Sequence, residues 1–312
     1  MKRKALWAGI IIFDLLLVIY LAGSIYFADI LIGKETQTLA ESQESMAETL
    51  AAYPLPTPEE VAIDAGAVTL AGSFYDNPQD GNCAVLLLHG YRGTRYGSLQ
   101  YAPLFWERGC DLLAYDARGH GNSSDALHTY GYHEKDDGVA AAQWLMERTG
   151  LPEEAIGLTG VSYGASTVLQ MVPLLPDVAF VLADSPYQDL ETIVAYQGVA
   201  QFGSWVKLFL PGGFAVAELR ADFEKEAVSP KNAVADVDTP ILITHSQTDT
   251  FTPVSNSEAI YANSNHETTW LEITDWGSPH AQSILDRPDA YKLMVAEFLA
   301  TFAPDFGVSN GR

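Results

Sequence analysis

The sequence predicts an α/β fold in which helices cover both faces of a mostly parallel β-sheet, preceded by one N-terminal transmembrane helix. Two observations lead to this prediction. Short, continuously apolar segments alternate with amphipathic segments from residue 61 to residue 302, as in chains that form parallel sheets with crossover helices. A basic start is followed by an almost unbroken apolar run from Ala5 to Ile32, which is long enough for a membrane-spanning helix.

Each predicted strand is a short apolar run, and the central ones have no polar face, as expected for strands buried on both sides. The predicted strands are Val61–Asp64, Val68–Tyr75, Ala84–Leu88, Leu112–Tyr115, Ala155–Thr159, Val178–Ala183, Ile241–Thr244 and Thr269–Ile273. Helices are predicted between them and after them, at Leu99–Arg108, Glu134–Arg148, Ala165–Met171 and Asp289–Phe302. These elements define a domain over residues 61–306, followed by a C-terminal tail at 307–312.

The first 32 residues are predicted to anchor the protein in the cell membrane as a single-pass helix. Lys2, Arg3 and Lys4 are expected to stay in the cytoplasm, which directs the rest of the chain outward. The alternative is a cleaved signal peptide, whose apolar region is usually only about 7–15 residues long. Asp14 interrupts the run, either because it reaches the interface or because it faces a partner, and the sequence leaves both possibilities open.

Two further segments flank or interrupt the predicted domain. Residues 33–60 form a connector, a weak helix that Tyr53–Pro58 ends with a stiff, proline-rich spacer. Residues 187–229 form a small helical cap. The apolar side chains of this cap suggest either an acyl pocket or ordinary packing on the body of the domain; they are Trp205, Leu208, Phe209, Leu210, Phe214 and Val216.

Composition excludes several classes of function. The formal net charge is −23, so nucleic acid is not an expected partner. The chain has two cysteines, too few for a disulfide-dense scaffold or a cysteine-rich zinc site. Cys83 and Cys110 each lie six residues before a motif residue at a strand end, His89 and Asp116 respectively, and a bond between them is left open. No histidine or carboxylate cluster has a metal-ligand spacing, so we expect neither a metal nor a cofactor.

Ser162 is the candidate nucleophile. It lies in Gly160-Val-Ser162-Tyr-Gly164, between a predicted strand and a predicted helix. A serine on a sharp strand-to-helix turn needs small flanking residues because the chain approaches itself closely there. The turn exposes the hydroxyl, and the N-terminus of the next helix favours negative charge beside it.

A serine hydroxyl needs a base, and the base needs an orienting carboxylate. Among the seven histidines, His280 follows the last strand and precedes the last helix, which is where a base is expected. Asp249, after Ile241–Thr244, is the favoured acid, and Asp184, after Val178–Ala183, is the alternative. His245 is expected to support the loop that carries Asp249.

The developing oxyanion needs two backbone N–H donors. Tyr163, directly after the candidate nucleophile, is expected to supply one. Tyr91 is expected to supply the other, from the loop His89-Gly90-Tyr91-Arg92-Gly93 after Ala84–Leu88. His89 is interpreted as a hydrogen-bonded anchor of this loop. Arg92 and Arg95 could bind a substrate carboxylate or pair with surface acids.

Taken in order, these motifs resemble those of the α/β-hydrolase superfamily, in particular its membrane-anchored esterase and serine-peptidase-like members with a small cap. The motifs are His89-Gly90, Asp116-Ala-Arg-Gly-His-Gly121, Gly160-Val-Ser-Tyr-Gly164, His245 to Pro253 and Gly277-Ser-Pro-His280. The resemblance covers residues 61–302. It implies a Ser162–His280–Asp249 triad with Tyr91 and Tyr163 as oxyanion donors, and a loop-shaping role for Asp116–Gly121. Ser246 and Thr252 depart from the usual residues without removing a catalytic group.

The sequence therefore predicts a serine hydrolase that cleaves acyl esters or thioesters, with a small acyl-ester or lipid-like substrate. A peptidase or amidase acting on short peptides is the alternative within the enzyme class, because the same three side chains serve both reactions. A non-catalytic surface protein that kept the fold is the third possibility.

Overall fold

The computed structural model describes residues 2–33, 35–79 and 81–307. Met1 of the basic start, Lys34 of the connector, Asp80 of a predicted turn and residues 308–312 of the predicted tail lie outside the described residues, as does the side chain of Lys2.

Eight strands form one sheet in the order β1-β2-β4-β3-β5-β6-β7-β8. The strands are β1 (Glu59–Asp64), β2 (Thr69–Tyr75), β3 (Ala84–Leu88), β4 (Asp111–Tyr115), β5 (Ile156–Val161), β6 (Phe180–Asp184), β7 (Ile241–Ser246) and β8 (Thr269–Thr274). β1 and β2 pair antiparallel, as do β2 and β4, and all other neighbours are parallel. The predicted fold class, a mostly parallel sheet, is confirmed.

Helices cover both faces of the sheet. They are α1 (Lys2–Ile32), α2 (Leu39–Ser45), α3 (Ala47–Ala52), α4 (Ala102–Trp106), α5 (Glu134–Thr149), α6 (Tyr163–Met171), α7 (Leu190–Phe202), α8 (Leu210–Ala221), α9 (Pro230–Ala233), α10 (Ser255–Tyr261), α11 (Ser283–Asp286) and α12 (Pro288–Phe302). One apolar core joins the sheet to α5 and α6, and a second joins its other face to α4 and α12. Every residue of β3, β5, β6 and β7 is buried, which explains why these strands carry no polar face.

The segment predicted as one helix at Leu99–Arg108 is divided in the structure. Residues 95–101 form a 3₁₀ helix, and α4 then begins at Ala102 with Pro103 in its first turn. Proline lacks the N–H that would extend an α-helix backward from this point, so the α-helical part begins only at Ala102.

Cys83 and Cys110 form a disulfide, with their Cα atoms 4.7 Å apart. The register between β3 and β4 aligns Ala84 with Asp111, so the two cysteines stand side by side just before their strands. The question that the sequence left open is thus answered by the parallel pairing of neighbouring strands.

Helix α1 consists of two parts with different surroundings. Residues 3–19 are exposed along their whole length, whereas Ser24, Ala28 and Ile32 are buried. The second part packs on α8 of the cap. The two helices can approach closely because α8 has a glycine, Gly212, where it faces α1. A Cβ atom at Gly212 would lie 2.1 Å from the Ser24 hydroxyl oxygen.

Candidate active site

Ser162 lies on a strained turn between β5 and α6. Its φ is 54° and its ψ is −110°, a conformation that a non-glycine residue rarely adopts. A Cβ atom at Gly164 would lie 2.4 Å from the carbonyl oxygen of Leu88, and one at Gly160 would lie 2.3 Å from that of Gly164. The two glycines are therefore required by contact of backbone with backbone, the reason for which the sequence predicted small residues here.

The structure brings the three predicted side chains together. The Oγ of Ser162 lies 2.8 Å from Nε2 of His280, and Nδ1 of His280 lies 2.6 Å from Oδ2 of Asp249. Three different loops at the carboxyl edge of the sheet supply them, which is why 118 residues separate the serine from the histidine. An ionised carboxylate only accepts hydrogen bonds. Nδ1 of His280 therefore donates to Asp249, and Nε2 is left to accept from the serine hydroxyl.

Asp249 is held in its ionised form. Burial acts to raise the pKa of this carboxyl, but hydrogen bonds from His245, His280 and the backbone N–H of Thr252 outweigh it and lower the pKa. The backbone N–H groups of Phe251 and Thr252 also donate to Oδ1 of Asp249, at 2.8 and 2.9 Å. The carboxylate side chain is fully buried, so it can orient the imidazole without competition from water.

His245 supports the loop of Asp249, as the sequence analysis expected. Its Nε2 donates to the carbonyl oxygen of Thr252 at 2.8 Å and lies 3.2 Å from Oδ2 of Asp249, and its Nδ1 lies 2.7 Å from Oγ of Ser257. The imidazole thus ties the turn that follows β7 to the start of α10.

Asp184, the alternative acid, does not meet His280. Its carboxylate accepts hydrogen bonds from the hydroxyls of Tyr101 at 2.7 Å, Tyr291 at 3.1 Å and Ser185 at 2.8 Å. Its backbone carbonyl accepts from the N–H of Ser162 at 2.7 Å. Asp184 therefore fixes the turn of Ser162 from below.

Tyr91 and Tyr163, the predicted oxyanion donors, line the same cavity as Ser162. A Cβ atom at Gly90, next to Tyr91, would lie 3.7 Å from Cβ of Ser162, and Tyr163 is the first residue of α6. Within the described part of the chain, no acceptor is bound to the backbone N–H of either tyrosine. Neither N–H group therefore has an internal hydrogen bond that a bound group would have to displace.

His89 anchors the loop of Tyr91, as expected. Its Nε2 accepts from the N–H of Ala117 at 3.0 Å, so its Nδ1 carries the proton and donates to the carbonyl oxygen of Gly90 at 2.8 Å. The rings of His120 and His128 stack at 4.2 Å, and that of His120 contacts His89 at 4.9 Å. Burial lowers the pKa of His89 and His128 to about 4 and that of His120 to about 3. All three are neutral near pH 7.

Glu134 is a supporting residue that the sequence analysis missed. Its carboxylate accepts from the hydroxyl of Tyr163 at 2.8 Å and from Thr129 and Gly131. Burial acts to raise its pKa, but these hydrogen bonds and the charge of Arg118 lower it. The ionised carboxylate orients the ring of Tyr163 beneath the site. Acidic residues are common in the first turn of a helix, where they interact favourably with the helix dipole. Glu134 is the first residue of a predicted helix, so the sequence offered no reason to assign it a special role.

Arg92 and Arg95 differ in their partners. Arg95 is buried and pairs with Asp116 at 3.3 Å and with Glu60 at 2.6 Å, so it has a structural role. The guanidinium of Arg92 lies over the ring of Tyr91 at 5.2 Å and is 4.0 Å from Glu35. Arg92 borders the cavity above Ser162.

A cavity of about 740 Å³ opens above Ser162, within the usual size range for small-molecule sites. The cap contributes Phe202, Val206, Leu210 and Phe214 to its walls, whereas Trp205 and Leu208 are 58% and 68% exposed. Part of the cap therefore lines the cavity, whereas Trp205 and Leu208 have neither of the two roles that the sequence left open. The last turns of α1 form another part of the wall, which the sequence analysis did not foresee.

Residues 85–305 match the alpha/beta hydrolase family. This chain belongs to the alpha/beta hydrolase family. Over 230 residues the hydrolase is 32% identical to the uncharacterised protein YqkD of Bacillus subtilis, covering 72% of this chain and 74% of that protein.

Two further comparisons concern proteins with a named activity. An esterase of Pyrococcus furiosus, Pf2001, superimposes on the hydrolase with a TM-score of 0.64 and 25% identity, covering 81% of this chain and 95% of that one. A thermostable monoacylglycerol lipase of Bacillus sp. is 26% identical over 129 residues, 40% of this chain and 48% of that protein. An acylaminoacyl peptidase of Pyrococcus horikoshii shares the fold at 17% identity, with a TM-score of 0.60, 84% coverage of this chain and 44% of that one.

Proposed function

We propose that this hydrolase is a serine esterase that cleaves acyl esters or thioesters through an acyl-enzyme on Ser162. The observation that carries the proposal is the chain of two short hydrogen bonds from Ser162 through His280 to buried Asp249. Nε2 of His280 takes the hydroxyl proton as the Ser162 oxygen attacks the acyl carbon, and Asp249 stabilises the imidazolium that forms.

The backbone N–H groups of Tyr91 and Tyr163 would bind the oxyanion of the tetrahedral intermediate. The imidazolium of His280 then gives its proton to the leaving alkoxide or thiolate, and the acyl group stays on Ser162. Water activated by the same imidazole releases the acid. His280 carries out every proton transfer in these reaction steps, so the proposed reaction needs no cofactor.

Ester substrates are favoured over amides for two reasons. An alkoxide leaves more readily than an amine, which must be protonated as it departs. Two relatives with a named activity and at least 25% identity are an esterase and a monoacylglycerol lipase, whereas the peptidase shares only the fold. The apolar wall of the cavity supports an acyl chain as the group that binds there.

We further propose that α1 anchors the protein in the cell membrane with the hydrolase domain outside the cytoplasm. Residues 3–32 form one helix long and apolar enough to cross a bilayer. Lys2, Arg3 and Lys4 favour a cytoplasmic start. The Cys83–Cys110 disulfide supports the same orientation, because such bonds persist mainly in oxidising compartments.

Hydrolysis of p-nitrophenyl acetate, butyrate and octanoate, compared with that of aminoacyl p-nitroanilides, tests the ester proposal. We expect faster turnover of the esters, unchanged by EDTA. A clear preference for the anilides would overturn the proposal in favour of a peptidase, and loss of activity in EDTA would overturn the serine route.

A further inference from the structure

The position of the cap along α1 places it at the surface of a bilayer. Residues 3–19 of α1 are exposed. The apolar run begins at Ala5, and a helix rising about 1.5 Å per residue needs roughly 20 residues to cross the core, so the core ends near Ser24. At this level the ring of Tyr20 stacks on Phe209 of the cap at 5.8 Å, and Phe27 lies 5.8 Å from Trp205.

The exposed side chains at this level suit a membrane interface. Trp205 and Leu208 are 58% and 68% exposed, and both lie in the short 3₁₀ helix before α8, next to α1. Tryptophan is enriched at the boundary between headgroups and acyl chains because its ring is apolar and its indole N–H is polar. The cap therefore rests on the bilayer in the anchored protein.

The next turns of α1 form a wall of the cavity above Ser162. Phe27, Ile30 and Leu31 line it, facing Leu210 and Phe214 of the cap. From Ser24 to Ile30 the helix rises about 9 Å. The apolar cavity thus begins within two turns of the bilayer surface, and α1 runs from the bilayer into it.

This wall is fixed to the hydrolase domain. The carbonyl oxygen of Leu31 accepts a hydrogen bond from the hydroxyl of Tyr130 at 2.9 Å, and the ring of Tyr130 stacks on Tyr91 at 5.7 Å. Asp29 pairs with Arg220 of α8. The end of α1 is therefore connected, through the contacts of Tyr130, to the loop that carries the proposed oxyanion donor Tyr91.

We infer that the substrate is a membrane-resident acyl ester whose chain reaches Ser162 along α1, so that α1 is both anchor and acyl-pocket wall. The inference rests on the proposed esterase function and names the substrate class of that site. It requires α1 to remain attached, because its removal would open one side of the cavity.

Thiol labelling of the full chain in detergent micelles tests the wall. The native cysteines are bonded to each other, so Ile30→Cys introduces a reactive thiol in the cavity, and Ile25→Cys introduces a matched one on the exposed side of α1. A long-chain alkyl fluorophosphonate on Ser162 should slow maleimide labelling at position 30 at least about fivefold compared with a methyl fluorophosphonate, because the chain covers the thiol. Labelling at position 25 should be the same with either reagent.

Equal maleimide labelling rates at position 30 with both fluorophosphonates would overturn the inference. It would also be overturned if the long-chain reagent slowed labelling at positions 25 and 30 to the same extent. Intact-mass measurement of Ser162 phosphonylation reports separately on the proposed function: if neither reagent reacts, the esterase proposal fails first. Tyr26→Cys, at an exposed position on the same wall, replaces Ile30→Cys if that variant does not fold, with the same expected slowing.

The bilayer as the source of substrate is tested with the full chain in vesicles. 1-Oleoylglycerol in the same vesicles as the protein should be hydrolysed with an initial rate at least about tenfold above that for the same lipid in separate vesicles, because a shared bilayer raises its effective concentration. Equal initial rates would mean that the substrate arrives through water, and this part of the inference would be wrong.

Discussion

At the scale of single residues, the strained turn at Ser162 and the buried carboxylate of Asp249 meet through one imidazole. Ser162 has a positive φ of 54°. The turn that requires this φ is held by close backbone contacts at Gly160 and Gly164, where any side chain would clash. Asp249 keeps its charge because two histidines and two backbone N–H groups donate to it. Both residues are held in the form that the proposed chemistry needs before any substrate binds.

Asp249→Asn tests the role of the carboxylate. The amide can donate to Nδ1 of His280 and so favours the tautomer whose Nε2 carries a proton and cannot accept one from Ser162. We expect kcat for p-nitrophenyl butyrate to fall by about 10⁴, the loss found for such a change in another serine enzyme.

Asp184→Asn is the matched control. It leaves His280 untouched but disturbs the hydrogen bonds from Tyr101 and Tyr291. It should lower the free energy of unfolding by about 1–3 kcal/mol while the folded protein keeps a kcat close to that of the unmodified enzyme. The opposite pattern of kcat values would assign the acid to β6.

The three buried histidines near the oxyanion loop predict acid sensitivity of the fold. Their folded-state pKa values of about 4, 3 and 4 for His89, His120 and His128 lie below the unfolded value of about 6.5. The unfolded chain therefore binds protons first as pH falls. The stabilising effect of each neutral ring is complete above about pH 6.5 and is lost toward the folded pKa, by up to about 1.4 kcal/mol per pH unit and histidine.

Urea denaturation at about pH 7 and about pH 5 measures this effect. His128→Phe keeps an aromatic ring beside His120 and should reduce the loss of unfolding free energy between the two pH values. His266→Gln, on an exposed loop, should leave that loss unchanged. An equal loss in all three proteins would mean that the buried histidines do not control acid stability.

At the scale of elements, the strands were predictable because each central strand is buried on both faces and reads as a continuous apolar run. Helix α5 was predictable from its apolar spacing. The short helix α10 was not, because its sequence, Ser255–Tyr261, has too few apolar positions for a period to appear. Its support comes instead from His245, whose imidazole lies 2.7 Å from Ser257, a contact that exists only after β7 has formed.

In the candidate site too, some features could be predicted from the sequence and others could not. Ser162 and His280 could be predicted as site residues because the turn motif of Ser162, and the position of His280 between the last strand and the last helix, are both visible in the sequence. The share of α1 in the cavity wall was not identified, because its apolar residues are also those of a membrane helix. The sequence feature that could have indicated this contact is Asp29, a carboxylate near the end of the apolar run. In the structure it pairs with Arg220 of α8, so this end of α1 contacts protein.

The disulfide joins β3 and β4 at the edge where both strands begin. In the chain-entropy account, a closed loop of this length, with a sequence separation of 27, stabilises the folded state by roughly 3–4 kcal/mol. Replacing Cys83 and Cys110 together by alanine should lower the free energy of unfolding in urea by about this amount. No difference from the unmodified protein under oxidising conditions would mean that the bond is absent in solution.

At the scale of the whole molecule, the proposed anchor fixes which side of the hydrolase faces the bilayer. The cap contacts α1 between Tyr20 and Phe27, so the proposed anchor would place the cap against the membrane and the sheet farther from it. The chain has a net charge of −23, and most of its exposed large hydrophobic residues lie on α1 and in the cap. This distribution suits a domain that is solvated everywhere except at one membrane-facing end.

Protease accessibility tests the proposed orientation. A protease added to intact cells should cleave the domain of residues 61–302, because the proposed topology has Lys2, Arg3 and Lys4 in the cytoplasm and this domain outside it. A cytoplasmic protein of known location serves as the control for intact cells. Cleavage only after the cells are opened would place the domain on the cytoplasmic side and contradict the proposed topology.

The most direct test of the central claim is the site of covalent modification by a fluorophosphonate, read by intact mass and peptide mapping of the full chain. Ser162→Ala should abolish labelling and lower kcat for p-nitrophenyl butyrate by about a millionfold, as in a comparable serine enzyme. Ser278→Ala is the control, since this buried hydroxyl lies two residues before His280 and has no hydrogen-bond partner among the described residues. It should label and turn over normally. Labelling that persists in Ser162→Ala, or an unmodified protein that takes up no reagent, would contradict the account.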